Sequence, residues 1–187
     1  MFSPRCYDEG EVIKLKRGES NVAKLKLGYA PTRRFTFSAE DAFKYKVLIR
    51  EKIESFGMDI DIVDLEDLND EGLLYDDHIN ADAIARKLKD ERVDAVFFPH
   101  CNFGTEDTVA RVAKAVGKPT LLWGPRDEAP LEDGMRLRDT QCGLFATGKV
   151  LRRFNVPFTY ITNSRVNDPV FERGFTNFVA AANVVKT

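Results

Sequence analysis

The feature that most constrains this chain is a repeated alternation between short apolar stretches and longer amphipathic ones. Five strand-like stretches lie near residues 23–30, 58–65, 93–99, 119–124 and 158–162. A stretch with helical apolar spacing follows each of them. This alternation predicts one α/β domain with a mostly parallel five-stranded sheet and helices on both faces. The expected arrangement is three-layered and Rossmann- or flavodoxin-like.

Several residues in the sequence mark where these helices begin. Ser38 and Thr105 can cap two of them. Asp168 followed by Pro169 gives the last helix a favourable start, because proline fits the first helical position. The apolar positions expected to turn the first helix toward the core are Phe43, Val47, Leu48 and Ile53.

Length and charge limit the class of protein. The 187 residues suit one domain, which we place at residues 22–187 after an irregular N-terminal arm at residues 1–21. Lys plus Arg (28) nearly balance Asp plus Glu (30), which argues against nucleic-acid and anionic-membrane binding. No apolar run is long enough for a membrane span, and no secretion signal is recognisable. We therefore expect a cytoplasmic protein.

Right-handed crossovers place every loop that follows a strand on the same edge of a parallel sheet, where ligands bind in such folds. The first of these loops is "APTRRFTFS" (residues 30–38), which contains Arg33 and Arg34. Guanidinium groups suit carboxylate, phosphate or sugar hydroxyl oxygens. An arginine pair that neutralises neighbouring acids in a solvated loop is an equally good interpretation.

The second loop is "PHCNFGTED" (residues 99–107). Gly104 allows a tight turn, and Thr105 with the following amides can hold an anion or a hydroxyl group, or Thr105 can serve only as a cap. His100 and Cys101 are adjacent on extended backbone, so their side chains should point to opposite faces. A Cys–His nucleophile pair is therefore disfavoured.

The third loop lies within "LLWGPRDEAPLEDGMRLRDTQCG" (residues 121–143) and is much longer than the usual connection. Its paired opposite charges favour an ion-pair network that shapes a contact surface over a catalytic role. Asp139 and Thr140 can also cap the next helix. The candidate loop or interface residues are Trp123, Arg126, Asp127, Glu128, Arg136, Arg138 and Asp139.

Familiar catalytic patterns do not occur in this sequence. It has two histidines, and neither lies among carboxylates at metal-ligand spacing. The GxGxxG, GxSxG and HExxH patterns are missing. The first loop contains no glycine, which disfavours an FMN-binding flavodoxin. We assign no catalytic residue and no metal ligand to this chain.

The segments "PHCNFGTED" and "WGPRDEAPLEDGMRLRDTQCG" resemble the N-terminal region of the L-fucose isomerase / L-arabinose isomerase-like proteins. The resemblance extends from about residue 24 to about residue 185. In that family the metal-binding and catalytic residues lie in later domains, so it implies a Rossmann-like domain that is not catalytically complete alone. Mn²⁺ is expected only in the C-terminal part of the family.

The resemblance also implies that this domain packs against a neighbouring subunit and helps to wall its sugar site. Arg33 or Arg34 of the first loop would then lie near the sugar. So would the second-loop residues Cys101, Asn102, Phe103, Gly104 and Thr105. Some members have a tryptophan in the second loop, where this chain has Cys101 and Asn102.

These observations leave more than one function open. The first is a domain, or truncated form, of an aldose–ketose isomerase, with a shared sugar site and with a homo-oligomer or a catalytic-domain partner. The second is a stand-alone module that binds a small sugar or polyol. The third is a structural subunit of a separately encoded isomerase.

Overall fold

A computed structural model describes residues 24–75 and 78–186 of the chain, so the predicted arm at residues 1–21 lies outside the described residues. The strands are Leu25–Tyr29 (β1), Ile60–Val63 (β2), Ala95–Pro99 (β3), Thr120–Trp123 (β4) and Thr159–Tyr160 (β5). The helices are Ala39–Ser55 (α1), His78–Asp90 (α2), Glu106–Val116 (α3), Thr140–Arg153 (α4) and Pro169–Val185 (α5).

The strands form a single sheet in the order β2-β1-β3-β4-β5, and every neighbouring pair is parallel. This confirms the predicted α/β class and strand number. The order reverses direction between β1 and β3, because the chain first adds β2 on one side and then β3, β4 and β5 on the other. The loops after β1 and β3 therefore flank the topological switch point, where open α/β sheets bind ligands.

The helices cover both faces of the sheet, as predicted. Helices α1 and α5 pack on one face, and α2, α3 and α4 pack on the other. The central strand shows why: Phe97 belongs to the first cluster and its neighbour Phe98 to the second, since successive side chains point to opposite faces. None of the helices in the described ranges is long and apolar enough to cross a membrane.

The predicted apolar face of α1 is wrong except at Ile53. Phe43, Val47 and Leu48 are exposed, and the buried positions are Ala42, Lys46, Ile49 and Ile53. A buried lysine is tolerated here because its ammonium group donates to Glu66 Oε1 at 2.9 Å and to the Glu71 carbonyl at 2.8 Å. The predicted cap at Ser38 is correct, since its hydroxyl accepts from Asp41 N at 3.1 Å.

Helix α4 approaches the loop after β3 so closely that one position has room only for glycine. A Cβ atom added at Gly143 would lie 1.6 Å from the carbonyl oxygen of Phe103. Because the obstructing atoms are backbone, a side chain there would push the helix off the loop. Gly148 in the same helix is less crowded, since its Cβ would lie 3.2 Å from the Phe158 ring.

We predict that Gly143→Ala destabilises the domain and that Gly148→Ala does not. Alanine favours a helix over glycine by about 1 kcal/mol, so Gly148→Ala should be neutral or slightly stabilising. Gly143→Ala should lower the free energy of unfolding by about 3 kcal/mol, because overpacking exceeds that gain. Urea denaturation of both variants measures the difference, and equal stabilities would show that α4 does not contact the loop as described.

Candidate functional site

The candidate site is the carboxyl edge of the sheet at the switch point between β1 and β3. The loops that leave these strands remain paired beyond the sheet. Thr32 N donates to the Pro99 carbonyl at 2.8 Å, and Cys101 N donates to the Thr32 carbonyl at 3.0 Å. The first two predicted loops are therefore brought together.

The buried side chain of Asn102 joins the two loops. Its oxygen accepts from Arg34 N at 2.8 Å and from Phe103 N at 2.6 Å. Its Nδ2 donates to the carbonyls of Arg34 and Ser38 at 3.0 and 3.1 Å. The carbonyl of Asn102 also accepts from Asp139 N at 2.7 Å, which attaches the third loop. Asn102 thus connects all three loops of the site.

Arg34 and Phe103 form the outer wall of the switch point. The guanidinium carbon of Arg34 lies 4.5 Å from the Phe103 ring centroid, a cation–π contact. The other end of the guanidinium pairs with Glu106 of α3. Phe37 stacks on Phe103 with their centroids 5.3 Å apart. The wall therefore combines a fixed cation, a carboxylate and two aromatic rings.

Arg33 points to a different neighbourhood from Arg34. Its guanidinium carbon lies 4.8 Å from the Tyr75 ring centroid, and its Nε lies 3.1 Å from Glu71 Oε2 without hydrogen-bond alignment. Tyr75 donates to the same carboxylate at 3.0 Å. Both arginines thus neutralise acids, as the alternative interpretation predicted, while keeping a partly exposed face.

Phe35 is an exposed residue of the same loop that the sequence did not single out. Its side chain is 72% exposed, although it lies directly after the arginine pair on the switch-point loop. A lone aromatic residue in a charged loop carries no periodic signal. Its exposure becomes visible only once the loop is folded.

Several of the residues expected near the sugar are buried within the domain. Cys101, Asn102 and Thr105 have almost no exposed surface. Burial raises the pKa of the Cys101 thiol to about 12, so it is not a nucleophile at neutral pH. Thr105 does not cap α3 with its side chain, and instead donates to Thr108 Oγ1 at 3.0 Å. In the described domain these residues lie beneath the surface and support it.

His100 is also buried, and it fastens β3 to α4. Its Nε2 lies 2.8 Å from Thr147 Oγ1, and its Nδ1 lies 3.2 Å from the Phe98 carbonyl. The arrangement fits a neutral ring that donates through Nδ1 and accepts at Nε2. Burial lowers the pKa of His100 to about 4. Cys101 packs instead in the cluster beside α1 and α5, so the two side chains diverge as predicted.

The third loop is organised around the buried guanidinium of Arg138. Its Nε donates to Glu128 Oε2 at 2.9 Å, and its Nη2 lies 3.8 Å from Asp127 Oδ1. The guanidinium carbon lies 3.5 Å from the centroid of the Tyr45 ring, whose hydroxyl donates to Glu128. Burial and this hydrogen bond raise the pKa of Tyr45 to about 12. The predicted ion-pair network thus exists around one cation.

Arg138 also holds the main chain of two loops. Its Nη2 donates to the Arg126 carbonyl at 2.8 Å, and its Nη1 donates to the Cys101 carbonyl at 3.4 Å. Because all three nitrogens of one planar group donate to these partners and to Glu128, the loop after β4 is fixed against the loop after β3.

Other predicted members of the network have different roles. Trp123 is not part of the loop: it ends β4 in the core, where its ring stacks on Phe171 at 3.9 Å. Asp139 does not cap α4 with its side chain. Asp127 does so instead, since both its carboxylate oxygens accept from Thr140 N at 3.0 Å.

Charged side chains of the loop surround a shallow depression of about 410 Å³. Arg126, Asp127, Glu128, Arg136 and Asp139 all line it. Over residues 24–75 and 78–186, neither Arg126 nor Arg136 forms an ion pair. These predicted interface residues are therefore gathered on one surface.

The donor chemistry of the described residues does not suit a metal ion. No group of three or more His, Cys, Asp or Glu side chains is placed to hold one within residues 24–75 and 78–186. The described residues do not test the expectation that Mn²⁺ belongs to the C-terminal part of the family, which stays a prediction.

Comparison with known proteins identifies the family to which this chain belongs. The model of the fucose/sulfoquinovose isomerase N-terminal domain matches residues 28–187. The chain belongs to this family. The match covers every strand except the first residues of β1, together with all three loops of the carboxyl edge. The resemblance to fucose isomerases is thereby confirmed.

Two further comparisons add less to the family assignment. A search of curated proteins finds no match. Among solved structures, an ABC transporter solute-binding protein from Bacillus halodurans C-125 with bound myo-inositol shows 10% identity and a TM-score of 0.36. The alignment covers 87% of this chain and 64% of that chain. Such a low TM-score carries no conclusion about the isomerase domain.

We predict that Arg138→Met destabilises the domain strongly and that Arg136→Met, in the same loop, does not. Removing Arg138 leaves Glu128 and two main-chain carbonyls without their buried donor, which should cost about 3 kcal/mol. Arg136 is exposed, so its replacement should change stability by less than about 0.5 kcal/mol. Guanidinium denaturation measures both, and similar small effects would refute the anchoring role of Arg138.

We predict that His100 remains neutral well below the usual histidine pKa. The unfolded chain takes up this proton near pH 6.5 and the folded chain near pH 4, so stability is complete above pH 6.5. It should fall by about 3 kcal/mol from this group as the pH drops through that window. Histidine NMR titration, assigned with a His100→Gln variant, measures the folded pKa. A value near 6.5 would contradict the buried, neutral arrangement.

Proposed function

We propose that this chain is the part of a sugar aldose–ketose isomerase that supports subunit assembly and walls the sugar site of a neighbouring subunit. The observation that carries the proposal is the exposed aromatic and arginine surface at the switch point, where Phe35 is open to solvent beside Arg34. Aromatic faces can pack against sugar rings, and guanidinium groups can donate to sugar hydroxyls. Membership of the fucose/sulfoquinovose isomerase N-terminal domain family also supports this proposal.

The rigidity of this surface supports a role in binding. Arg34 is held by Phe103 and Glu106, and its backbone is held by Asn102. A preorganised wall loses little conformational entropy when a ligand arrives. The buried residues Cys101 and Asn102 take part through this support, with their side chains away from the sugar.

We place the catalytic residues of the isomerase outside this domain. Interconverting an aldose and a ketose requires a base that moves a proton between neighbouring carbons, and often a metal that polarises the oxygens. His100 is neutral and enclosed, and the Cys101 thiol is protonated. We therefore propose that the chemistry occurs on residues outside this domain, with any Mn²⁺ among them, in a cytoplasmic homo-oligomer or with a catalytic-domain partner.

The alternative of a stand-alone sugar- or polyol-binding module makes a separate prediction. A ligand that binds only the folded state raises the melting temperature as its concentration increases. A polyol that stabilises the isolated chain in this way would favour that module over a shared site.

We predict that Phe35→Ala weakens sugar binding by the isomerase assembly without altering the stability of the domain. Loss of one aromatic contact of about 1 kcal/mol should raise KM for the aldose about fivefold. The matched control is Val184→Ala, an equally exposed apolar position on α5. Steady-state kinetics of the native assembly with Mn²⁺ measures the effect.

Two results would count against the proposal. One is an unchanged KM in the Phe35→Ala assembly. The other is aldose–ketose conversion by the purified 187-residue chain alone, which we expect to be inactive.

A further inference from the structure

A groove between α4 and β5 lies away from the switch point and shares Arg126 with the depression of the third loop. Its volume is about 590 Å³. β5 is the last strand of the sheet, and no strand of the described ranges pairs with its outer side. Two aromatic side chains of the groove, Phe145 at 70% and Tyr160 at 66%, are unusually exposed.

The charge of this groove has a single sign. Arg126, Lys149 and Arg152 line it, and no Asp or Glu does. None of the three forms an ion pair with the described part of the chain. Phe145, Lys149 and Arg152 are spaced at four and three residues along α4, so they share one helix face. The groove therefore presents an aromatic floor with an unneutralised basic rim.

The tip of the charged loop has the complementary character. Leu131 N donates to the Met135 carbonyl at 2.9 Å, and Gly134 N donates to the Leu131 carbonyl at 2.8 Å, with Gly134 at φ +83°. This closed turn exposes Leu131 and Met135. It carries Glu132 and Asp133 at its apex, neither of them in an ion pair within the described ranges. The tip, residues 131–135, is therefore a closed turn that exposes two apolar and two acidic side chains.

We propose that in a dimer the tip at residues 131–135 of each copy inserts into the α4–β5 groove of the other. The acids of the tip then face Lys149 and Arg152, while Leu131 and Met135 contact the aromatic residues. The groove cannot pair with its own copy, because two basic rims would repel each other. This inference rests on the proposed role in subunit assembly and specifies the surfaces that carry it.

The connectivity of the chain makes such an exchange geometrically simple. The loop leaves β4 through Arg126, which itself lines the groove, and it ends at the first residue of α4. The loop that carries the tip therefore begins and ends beside the groove. In a two-fold dimer each tip would meet the opposite groove, so both contacts would form together.

Charge reversal provides the test, with sedimentation velocity as the measurement. The groove variant is Lys149→Glu with Arg152→Glu, and the tip variant is Glu132→Lys with Asp133→Lys. Each variant alone opposes like charges at both contacts, so its dimer dissociation constant should rise at least about tenfold. The matched control, Arg111→Glu with Lys118→Glu, reverses two exposed cations, one in α3 and one just after it, and should leave the dimer unchanged.

Mixing the two variants decides the question. An acidic groove then meets a basic tip, while the basic groove of the second chain meets the acidic tip of the first. We expect the one-to-one mixture to recover the wild-type dimer. Failure of the mixture to do so, or dimers of undiminished strength in either variant alone, would overturn this contact while leaving assembly through another surface intact. A wild-type chain that stays monomeric would contradict both the contact and the proposed assembly role.

Discussion

Two buried polar side chains, Asn102 and Arg138, hold together the three loops at the carboxyl edge. Asn102 joins the loops after β1 and β3 through three hydrogen bonds, and Arg138 joins the loops after β3 and β4 through main-chain carbonyls. Ordering loops of this length costs conformational entropy, and these hydrogen bonds offset part of that cost. With these anchors, the surface that faces a sugar or a neighbouring subunit is fixed before either arrives.

The architecture was largely predictable from the sequence, because strand and helix periodicities alternate clearly and Pro169 marks a helix start. The apolar face of α1 was not, since Lys46 is buried through bonds to Glu66 and Glu71, which lie some twenty residues along the chain. Trp123 follows an apolar run and precedes a loop, so local pattern cannot assign it to either. Long-range contacts determine both the burial of Lys46 and the position of Trp123.

The same limit applies to the candidate site. Its location follows from topology, and the importance of Arg34 and Arg138 from their charge in loops at one edge. The capping of α4 by Asp127 spans thirteen residues, and only the folded loop reveals it. Burial likewise separates the exposed Phe35 from the enclosed Cys101 and Thr105, a distinction that residue type does not contain.

The central claim is that the switch-point wall of one subunit faces the sugar of another. A cryo-EM structure of the native assembly with a bound polyol inhibitor tests it most directly. We expect Phe35 and Arg34 of one subunit within about 4 Å of the polyol held by the catalytic residues of its neighbour. A polyol enclosed entirely by one subunit, with Phe35 facing solvent, would contradict it.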